Sequence, residues 1–412
     1  MGWLTAAEAL SVLGVRPQTL YANVSRRRIR ARSDPKDPRR SLYDEADVRK
    51  LAHNRLGPRR AESVASGAIE WGDPVLPSAI CTVAHGRLWY RGQDAVELAQ
   101  TRTLEEVSRL LWEDPGAEVA SGSHRTSKRR TGPPGNNIAT SKAALAGMFT
   151  AMAARAGQDP PSYGRSQAVL RKEALEVLGT LARSIVGSGS VAALHAQLAG
   201  TWLRKGATDV LRRALVLLAD HELNASTFAV RVTISTGASL ASGVLAGLAT
   251  LSGPLHGQAA VGVAELVRVG RRQGVRTAVR EWLACGRALS GFGHPLYPDG
   301  DVRAEALLGA FTVPAEYREL RAIVEELAGE RPNIDFALAA MTARFRLPPE
   351  SPLVLFAVAR TVGWLAHAME QASAGHLIRP RARYVGPPVG VASNVHRGAE
   401  RNPPHRVQGY KP

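Results

Sequence analysis

The sequence predicts a mainly α-helical protein, and three observations lead to that fold class. After Ser190, almost every segment repeats its apolar residues at the spacing of an amphipathic helix. Segments with the alternating pattern of strands are short and few, which leaves too little material for a parallel sheet. Residues 1–56 carry a separate pattern of short helices and a hairpin. We therefore expect an all-α body preceded by a small winged helix-turn-helix domain.

In that first domain, Leu4–Leu10 reads as a short amphipathic helix, with Thr5 and Glu8 placed for a capping box. Gly14 marks a turn, and a second helix begins near Pro17, a residue that a first helical turn accepts. Two short helices joined by a glycine turn are typical of a helix-turn-helix. Residues 34–40 could form a hairpin wing, and a third helix capped at residue 44 closes the domain.

The second helix would lie in a DNA major groove, where polar side chains read base edges and arginines contact phosphates. The candidate DNA contacts are Gln18, Thr19, Asn23, Arg26, Arg28, Arg39 and Arg40. The pattern resembles the winged helix-turn-helix of the mercury-resistance-regulator (MerR-like) family, which implies DNA binding. The alternative is a protein-docking or relic module of the same shape.

The formal charge of +17 supports a basic amino-terminal end. Residues 1–60 hold 14 Lys and Arg against 6 Asp and Glu. Such an asymmetry favours contact with a polyanion. A generally basic composition is the alternative, since part of the excess lies elsewhere in the chain.

Length and composition indicate a globular protein. At 412 residues and 45% apolar content, the chain can bury a sizeable core. It contains no run of about 18 uncharged apolar residues, and its first residues lack a signal pattern, so we predict a cytoplasmic protein without membrane contact. Cys81 and Cys285 lie far apart in apolar or helical context, which predicts two buried free thiols.

Between the first domain and the helical body, residues 57–77 read as a linker. Ser78–Tyr90 alternates around His85 and Gly86, which predicts a hairpin, and Glu97–Trp112 reads as helices. Residues 114–164 are partly a flexible loop, because the basic, Pro- and Gly-rich part from 121 to 137 has no periodicity. A solvated loop is favoured there over contacts with DNA or CoA phosphates.

The stretch Asp220–Gln258 organises the rest of the chain. It predicts one central helix of small residues, with His221 and His256 at its two ends, where they would face a cleft. The helices expected around it are 171–181, 191–203, 206–220, 258–270, 273–286, 301–310, 315–329, 333–345 and 351–375.

Seven residues near Gly and Pro suggest an acid–base site for an anionic substrate. They are His221, His256, His294, Asp335, Arg303, Arg360 and Arg379. No glycine-rich phosphate loop, Cys-x-x-Cys or His-Glu-x-x-His motif occurs, so we expect neither a metal nor a bound cofactor. Ser226 and Ser252 lack a nucleophile-elbow context, which makes a serine hydrolase a poor fit.

Six blocks, in order along the chain, resemble the citrate synthase family. They are His221-Glu-Leu-Asn-Ala-Ser, Gly253-Pro-Leu-His256-Gly, Gly291-Phe-Gly-His294, Asp301-Val-Arg303-Ala, Pro332-Asn-Ile-Asp335-Phe and Gly363-Trp-Leu-Ala-His. The resemblance implies a citrate-synthase-like catalytic domain over residues 78–386, with large and small helical subdomains, and a tail over 387–412.

The resemblance also implies roles for the matching residues. Asp335 would be the base that removes a proton from the acyl methyl group, and His256 would polarise the thioester carbonyl. His294 would protonate the acceptor carbonyl, with His221 hydrogen-bonded to the same acceptor. The carboxylate clamps would be Arg303, Arg360 and Arg379, the last reaching across from a partner subunit of a homodimer. From the residues alone, Asp335 could instead be a helix cap.

The implied reaction condenses acetyl-CoA with oxaloacetate and water to give citrate and CoA. Propionyl-CoA is an alternative substrate. A transcription regulator that senses an acyl-CoA or a dicarboxylate is an alternative function, and a surface (snorkelling) arginine is the alternative for Arg360. The chain departs from the family pattern after two of its histidines. The family usually has Gly-Gly-Ala-Asn after its first catalytic histidine, where this chain has Gln258-Ala-Ala260 after Gly257. It often has Arg or Lys soon after the second histidine, where this chain has Pro295, so a partner for CoA phosphates is lost.

Overall fold

The structure is a computed structural model that describes residues 2–15, 17–25, 28–35, 37–53, 76–114, 141–187, 192–380, 382 and 384–386. Most of the expected linker, the basic stretch 121–137 and the tail 387–412 lie outside the described residues. The chain divides into two units, Met1–Ile378 and Arg379–Pro412. The fold and the candidate site below belong to the first unit. Of the second, residues 379, 380, 382 and 384–386 are described, and they form neither helix nor strand.

The amino-terminal part, residues 2–53, is called the head below. Its elements are β1 (Trp3–Thr5), α1 (Ala6–Leu13), α2 (Pro17–Ser25), β2 (Ala31–Asp34), β3 (Asp37–Asp44) and α3 (Glu45–His53). The strands pair antiparallel in the order β1-β3-β2, with Trp3 opposite Asp44. Thr5 and Glu8 form the predicted capping box, and Gly14 ends α1 in the left-handed conformation, with φ 61°.

The head has its own apolar core, in which α1 and α2 close over the sheet. Its buried residues are Ala9, Leu13, Leu20, Val24, Ile29, Tyr43 and Val48. The predicted order of helix, turn, helix, hairpin and third helix is therefore present. Asp44 caps α3 as expected, because its Oδ1 accepts from the backbone N–H of Asp47 at 3.1 Å.

A second small antiparallel sheet opens the body. Its strands are β4 (Cys81–Ala84), β5 (Arg87–Tyr90) and β6 (Gln93–Asp94), paired in that order. The turn between β4 and β5 is the predicted one: His85 and Gly86 both take positive φ, 52° and 70°. Cys81 pairs with Tyr90 at the other end of the hairpin.

Helices make up nearly all the rest, which confirms the mainly α fold class. They are α4 (Ala95–Thr101), α5 (Leu104–Leu111), α6 (Ser141–Ala156), α7 (Gln167–Val186), α8 (Leu194–Thr201), α9 (Thr208–Leu218), α10 (Ala225–Ser235), α11 (Leu240–Leu251), α12 (Ala259–Gln273), α13 (Val275–Ala284), α14 (Val302–Leu308), α15 (Ala315–Ala328), α16 (Ile334–Phe345) and α17 (Ser351–Ala374), with a short 3-10 turn at Lys205–Ala207.

The core of the body forms around α17, which packs against α7, α9, α10 and α11. Small residues allow the close approach: a Cβ on Gly247 of α11 would lie 2.8 Å from the buried Trp364 ring. In the part of the chain that the structure describes, α17 alone is long and apolar enough to span a membrane, but 94% of its apolar window is buried inside the protein. It is therefore placed as a core helix.

The structure corrects two sequence-based expectations, and it adds a helix in the segment expected to be partly a loop. The central helix is broken into α10 and α11, because Gly237 adopts φ 85° and Ser239 caps a new helix through its side chain. Residues 141–156 form the Ala-rich α6 within the expected loop. Cys81 is buried as predicted, but Cys285 is exposed, since it lies at the carboxyl end of α13 where the chain turns.

Candidate functional site

Three aromatic side chains form a cluster between the end of α9 and the loop after α13. The rings of His221 and His294 are 5.0 Å apart between centroids and perpendicular. Tyr297 lies beside both, with its hydroxyl 3.0 Å from Nε2 of His221 and its ring 5.1 Å from that of His294. Nδ1 of His294 accepts from the Leu296 N–H at 3.2 Å. A neutral His294 therefore carries its proton on Nε2.

His256 lies in the turn between α11 and α12. Its Nε2 is 2.9 Å from Oγ of Ser226, at the start of α10. The turn is tight, because a Cβ on Gly257 would lie only 2.5 Å from the Leu251 carbonyl oxygen. Burial and, second, the positive charge of Arg360 together lower the pKa of His256 to about 4. The imidazole is therefore neutral near pH 7.

Asp335 lies in the first turn of α16, one residue after the start of the helix. The helix cap is Asn333, whose Oδ1 accepts from the Asp335 N–H at 3.0 Å. The Asn333 amide donates to the carbonyls of Ser290 and Gly293 at 3.0 and 3.2 Å. The loop before Asp335 is thus bonded directly to the residue that precedes His294.

The Asp335 side chain is half-buried, and one of its two carboxyl oxygens is unpaired. Its Oδ1 is shut off from solvent and has no hydrogen-bond partner. Burial raises the pKa of Asp335 to about 7; Arg303 lowers it, Asp301 raises it, and a hydrogen bond from the Ala260 N–H lowers it. A carboxyl that titrates near neutrality can accept a proton and return it, which suits a general base.

Two buried arginines border this cluster. Arg303 forms two hydrogen bonds with Asp301, Nε to Oδ1 at 2.9 Å and Nη2 to Oδ2 at 2.8 Å. Burial lowers the pKa of Arg303, but the charge of Asp301 outweighs that effect and leaves it raised. Arg360 lies in the middle of α17 with its Nε donating to the Leu218 carbonyl at 3.0 Å. Arg360 is only 2% exposed, so the snorkelling alternative is wrong, and burial lowers its pKa.

The charges of these groups act on one another, which places them in one site. Burial holds the pKa of His221 well below its ordinary value. The positive charges of Arg303 and Arg360, together with the other two histidines, lower it further. Among the described residues, no group of three or more His, Cys, Asp or Glu could hold a metal ion.

A second polar chain lies behind His221. Asp220, the preceding residue, is fully buried with its Oδ2 3.3 Å from Nε2 of His367. Nδ1 of His367 lies 3.3 Å from Nη1 of Arg231, which also pairs with Glu370. Since Arg231 can only donate, Nδ1 of a neutral His367 is the acceptor and its Nε2–H faces Asp220.

Comparison with known proteins decides the family. The family model described as citrate synthase, C-terminal domain, matches residues 69–381. A citrate synthase of Haloferax volcanii is 32% identical over 73% of this chain and 90% of that protein. Citrate synthase 2 of Bacillus subtilis is 37% identical, but the match spans 43% of this chain and about half, 51%, of that relative.

The chain belongs to the citrate synthase family.

Solved structures of the citrate synthase fold agree with the helical body. A citrate synthase of Thermoplasma acidophilum, described as a ternary complex with carboxymethyl coenzyme A and oxaloacetate, has a TM-score of 0.61 at 24% identity. The match covers 78% of this chain and 96% of the Thermoplasma acidophilum chain. The Thermotoga maritima citrate synthase gives a TM-score of 0.57 at 24% identity, covering 77% of this chain and 94% of that one. These likenesses support the fold. The expectation of a citrate synthase family enzyme is confirmed.

The structure brings together six of the seven residues that the sequence singled out. They are His221, His256, His294, Asp335, Arg303 and Arg360. The seventh, Arg379, is exposed and begins the second unit. The helix-cap alternative for Asp335 is resolved, because Asn333 is the cap and Asp335 follows inside the helix.

Three residues of the site were missed by sequence reasoning, or given no part in it. Tyr297 lies in the Pro-Leu-Tyr-Pro segment, which replaces the Arg or Lys that the family often has there. That replacement is the only feature of the segment that the sequence draws attention to. Ser226 was considered as a nucleophile, whereas the structure makes it the partner of His256. His367 is the last residue of the Gly363-Trp-Leu-Ala-His block, which resembles the citrate synthase family but to which the sequence assigns no role. Ser226 is the last residue of the His221-Glu-Leu-Asn-Ala-Ser block, and its place in that block is the signal that could have found it.

The departures at residues 258 and 260 have visible consequences. The Gln258 amide donates to the Ser252 carbonyl at 2.6 Å, which closes the His256 turn. The backbone of Ala260 supplies the N–H that lowers the pKa of Asp335. A main-chain donor needs no particular side chain, so the substitution at Ala260 leaves this contact intact. Pro295 has no N–H and carries no charge.

The residues predicted to contact DNA have mixed environments in the head. Asn23 is buried, at 7% exposure, and its amide donates to the Thr19 carbonyl at 2.7 Å, so the structure contradicts its role in reading base edges. Thr19 is half-buried, whereas Arg28 and Arg40 are exposed, and Arg40 pairs with Asp37. Arg26 and the side chains of Gln18 and Arg39 lie outside the described residues.

Proposed function

We propose that this chain condenses acetyl-CoA with oxaloacetate and water to give citrate and CoA. Membership of the citrate synthase family supports the reaction class. The observation that carries the proposal is the half-buried Asp335 carboxyl, whose Oδ1 is shut off from solvent and unpaired. The Asp335 backbone is hydrogen-bonded to Asn333, which in turn donates to the loop of His294. The proposal needs no metal or cofactor, and acetyl-CoA acts as co-substrate.

Asp335 starts the reaction by taking a proton from the acetyl methyl group. Its pKa, raised to about 7, lowers the penalty for abstracting a weakly acidic C–H proton. His256 donates a hydrogen bond to the thioester oxygen as negative charge develops there. Because Nε2 of His256 is occupied by Ser226, Nδ1 is the nitrogen that remains to face the thioester. A neutral imidazole can donate this bond without placing a full charge in the site.

The enol carbon then attacks the carbonyl carbon of oxaloacetate. His294, whose Nδ1 is already an acceptor, gives the Nε2 proton to the oxygen of that carbonyl as the carbon–carbon bond forms. His221 hydrogen-bonds the same acceptor. Water then attacks the thioester, the carbon–sulfur bond breaks, and CoA leaves as the thiol, with citrate as the other product.

Arginines would hold the carboxylates of oxaloacetate. Arg360 is buried and uses only Nε on the protein backbone, so its terminal nitrogens remain for a carboxylate. Arg303 is already paired with Asp301 and would bind through the guanidinium N–H groups that this pair leaves. Arg379 would come from the partner subunit of a homodimer. Propionyl-CoA in place of acetyl-CoA remains an alternative substrate.

The experiment measures CoA thiol release with oxaloacetate. Wild type should turn over, and Asp335→Asn should lose roughly 10²- to 10⁴-fold in kcat, the usual contribution of a general base. Asp299→Asn is the matched control, since it makes the same change at an exposed aspartate. A wild type without turnover on acetyl-CoA or propionyl-CoA, or an Asp335→Asn variant as fast as the control, would overturn the proposal.

The DNA-binding hypothesis is a separate proposal, which rests on the order of elements in the head and its basic charge. The burial of Asn23 counts against base reading by α2. No observation favours the transcription-regulator alternative, so it is not carried forward. A cytoplasmic location also stays a prediction.

A further inference from the structure

The head is packed on the body through the helix that the sequence would place in DNA. Helix α2 contacts α13 and α15, and strands β2 and β3 contact α13. Two hydrogen bonds from the head also reach the segment 284–294, called the His294 strap here because it ends at that residue. Ser41 Oγ donates to the Ala284 carbonyl at 3.2 Å, and the Leu289 N–H donates to Ser25 Oγ at 3.3 Å.

The contact is close as well as hydrogen-bonded. Gly286 adopts φ 69°, and a Cβ there would lie 2.5 Å from the carbonyl oxygen of Ala31 in β2. Ser25 and Leu289 are 6% and 2% exposed. Without Ser25, the Leu289 N–H would be buried with no acceptor from the head, which is unfavourable for a backbone donor.

The other side of the strap is bonded to the loop that carries Asp335. The Asn333 N–H donates to the Gly291 carbonyl at 2.9 Å, and the Gly293 N–H donates to the Arg331 carbonyl at 2.8 Å. Phe292 and Pro332 pair as a short bridge. The strap therefore lies between the head and the 331–335 loop, with hydrogen bonds to both.

We propose that Ser25 and the Ala31 backbone are positioning elements of the active site: they hold the His294 strap so that His294 and Asp335 keep their productive placement. This inference rests on the proposed condensation. The head then forms part of the wall that supports the site. Displacing a reacting group by about 1 Å can lower a rate by as much as about 10²-fold, so a support at this distance affects turnover.

Two substitutions test the contact in the full-length chain. Gly286→Ala places a methyl group against Ala31, and Gly164→Ala is its control, because Gly164 has φ 72° with no atom within 4 Å of its Cβ position. Ser25→Ala removes the acceptor of the Leu289 N–H, and Ser11→Ala is its control on the exposed face of α1. Amide hydrogen exchange of residues 287–294 should be faster in both test variants than in both controls.

Turnover distinguishes positioning from a merely structural contact. We expect kcat for CoA release to fall about tenfold in Gly286→Ala and Ser25→Ala while KM for oxaloacetate changes less than twofold, and both controls to match wild type. Unchanged exchange of the strap would overturn the contact. Faster exchange with unchanged kcat would overturn the positioning role. A wild type without turnover would contradict the proposed condensation but not the contact between head and strap, because hydrogen exchange still tests that contact.

Discussion

Nε2 of His256 lies 2.9 Å from Oγ of Ser226, and this contact determines which ring nitrogen can face a substrate. The hydroxyl also receives the Trp364 indole N–H at 3.3 Å and lies 2.7 Å from Asn224 Oδ1. That amide oxygen already accepts the backbone N–H groups of Ser226 and Thr227. The Ser226 hydroxyl has one proton, which can go to Asn224 Oδ1 or to His256 Nε2. The proposed reaction requires donation to His256, which leaves the hydrogen of the neutral ring on Nδ1.

Ser226→Ala should therefore lower kcat by about 10- to 100-fold, because among the described residues only Ser226 hydrogen-bonds to the His256 ring and can fix its tautomer. Ser239→Ala is a matched control, since it removes the cap of α11 and should destabilise the fold by about 1 kcal/mol without touching His256. Steady-state rates and melting temperatures of both variants decide the matter. Equal rates in the two variants would contradict the role of Ser226.

The proposed base predicts a pH dependence with a definite sign. Asp335 must be ionised to accept a proton, so kcat/KM should rise with pH through about 7, the pKa to which burial raises this carboxyl. Asp335→Asn should abolish that limb of the profile. A profile flat between about pH 5.5 and 8.5 in wild type would argue against this assignment.

The same carboxyl predicts an opposite trend in stability. The pKa of Asp335 in the folded protein, about 7, lies above its ordinary value of 3.8. The carboxyl therefore makes its full contribution to the free energy of unfolding at pH values below 3.8, and this contribution is lost as pH rises through about 7. Asp335→Asn should therefore be more stable than wild type at about pH 8.5 and nearly equal to it at low pH. Urea unfolding at both pH values measures the difference, and a wild type that gains stability relative to the variant with rising pH would contradict it.

Tyr297→Phe removes the hydroxyl that contacts Nε2 of His221 and keeps the ring beside His294. We expect a loss of about tenfold in kcat/KM for oxaloacetate, since His221 would lose the partner that orients it. Tyr317→Phe, a buried tyrosine of α15 that packs on Phe336, is the control. Michaelis constants of both variants show the effect; an unaltered Tyr297→Phe enzyme would remove Tyr297 from the site.

If Arg379 enters the site of the partner subunit, two inactive variants should complement each other in a mixed dimer. Arg379→Ala and Asp335→Asn should each be nearly inactive alone. Mixed after unfolding and refolding together, they should recover about a quarter of the wild-type rate, because half of the dimers would hold one intact site. Failure to recover activity, with mixed dimers present by mass measurement, would place Arg379 in its own subunit's site or in none.

DNA binding by the head is tested best at an exposed arginine. Arg28→Ala should weaken duplex binding of the full chain and reduce the slope of log affinity against log salt by about 1. Arg49→Ala, also in the head but paired with Glu45, should bind as wild type does. Retardation at about 100 and 200 mM salt measures both. Absence of wild-type retardation would rule out the DNA interpretation.

The sequence was most informative where local chemistry determines structure. Thr5 and Glu8 predict a capping box, which involves only the four consecutive residues 5–8, and the structure contains it. The helices after Ser190 were predicted by periodicity, but the break between α10 and α11 was missed. Small residues continue through Gly237, and only its left-handed backbone, with the cap at Ser239, ends the first helix.

The candidate site was predictable in its members but not in its pairings. Asn333 and Asp335 could each have capped α16, and the choice depends on hydrogen bonds to the distant Ser290 and Gly293. The pairing of Arg303 with Asp301, and the contact of Tyr297 with His221, likewise arise from tertiary packing. Side-chain partners across such sequence distances carry no local signal.

The hydrogen bond from the Leu289 N–H to Ser25 Oγ affects how the activity of a protein without the head should be interpreted. Excising the head would leave the Leu289 N–H without its Ser25 acceptor and would uncover the side of the His294 strap that the head now contacts. A truncated enzyme that turned over slowly would then show damage at the cut surface rather than loss of a regulator.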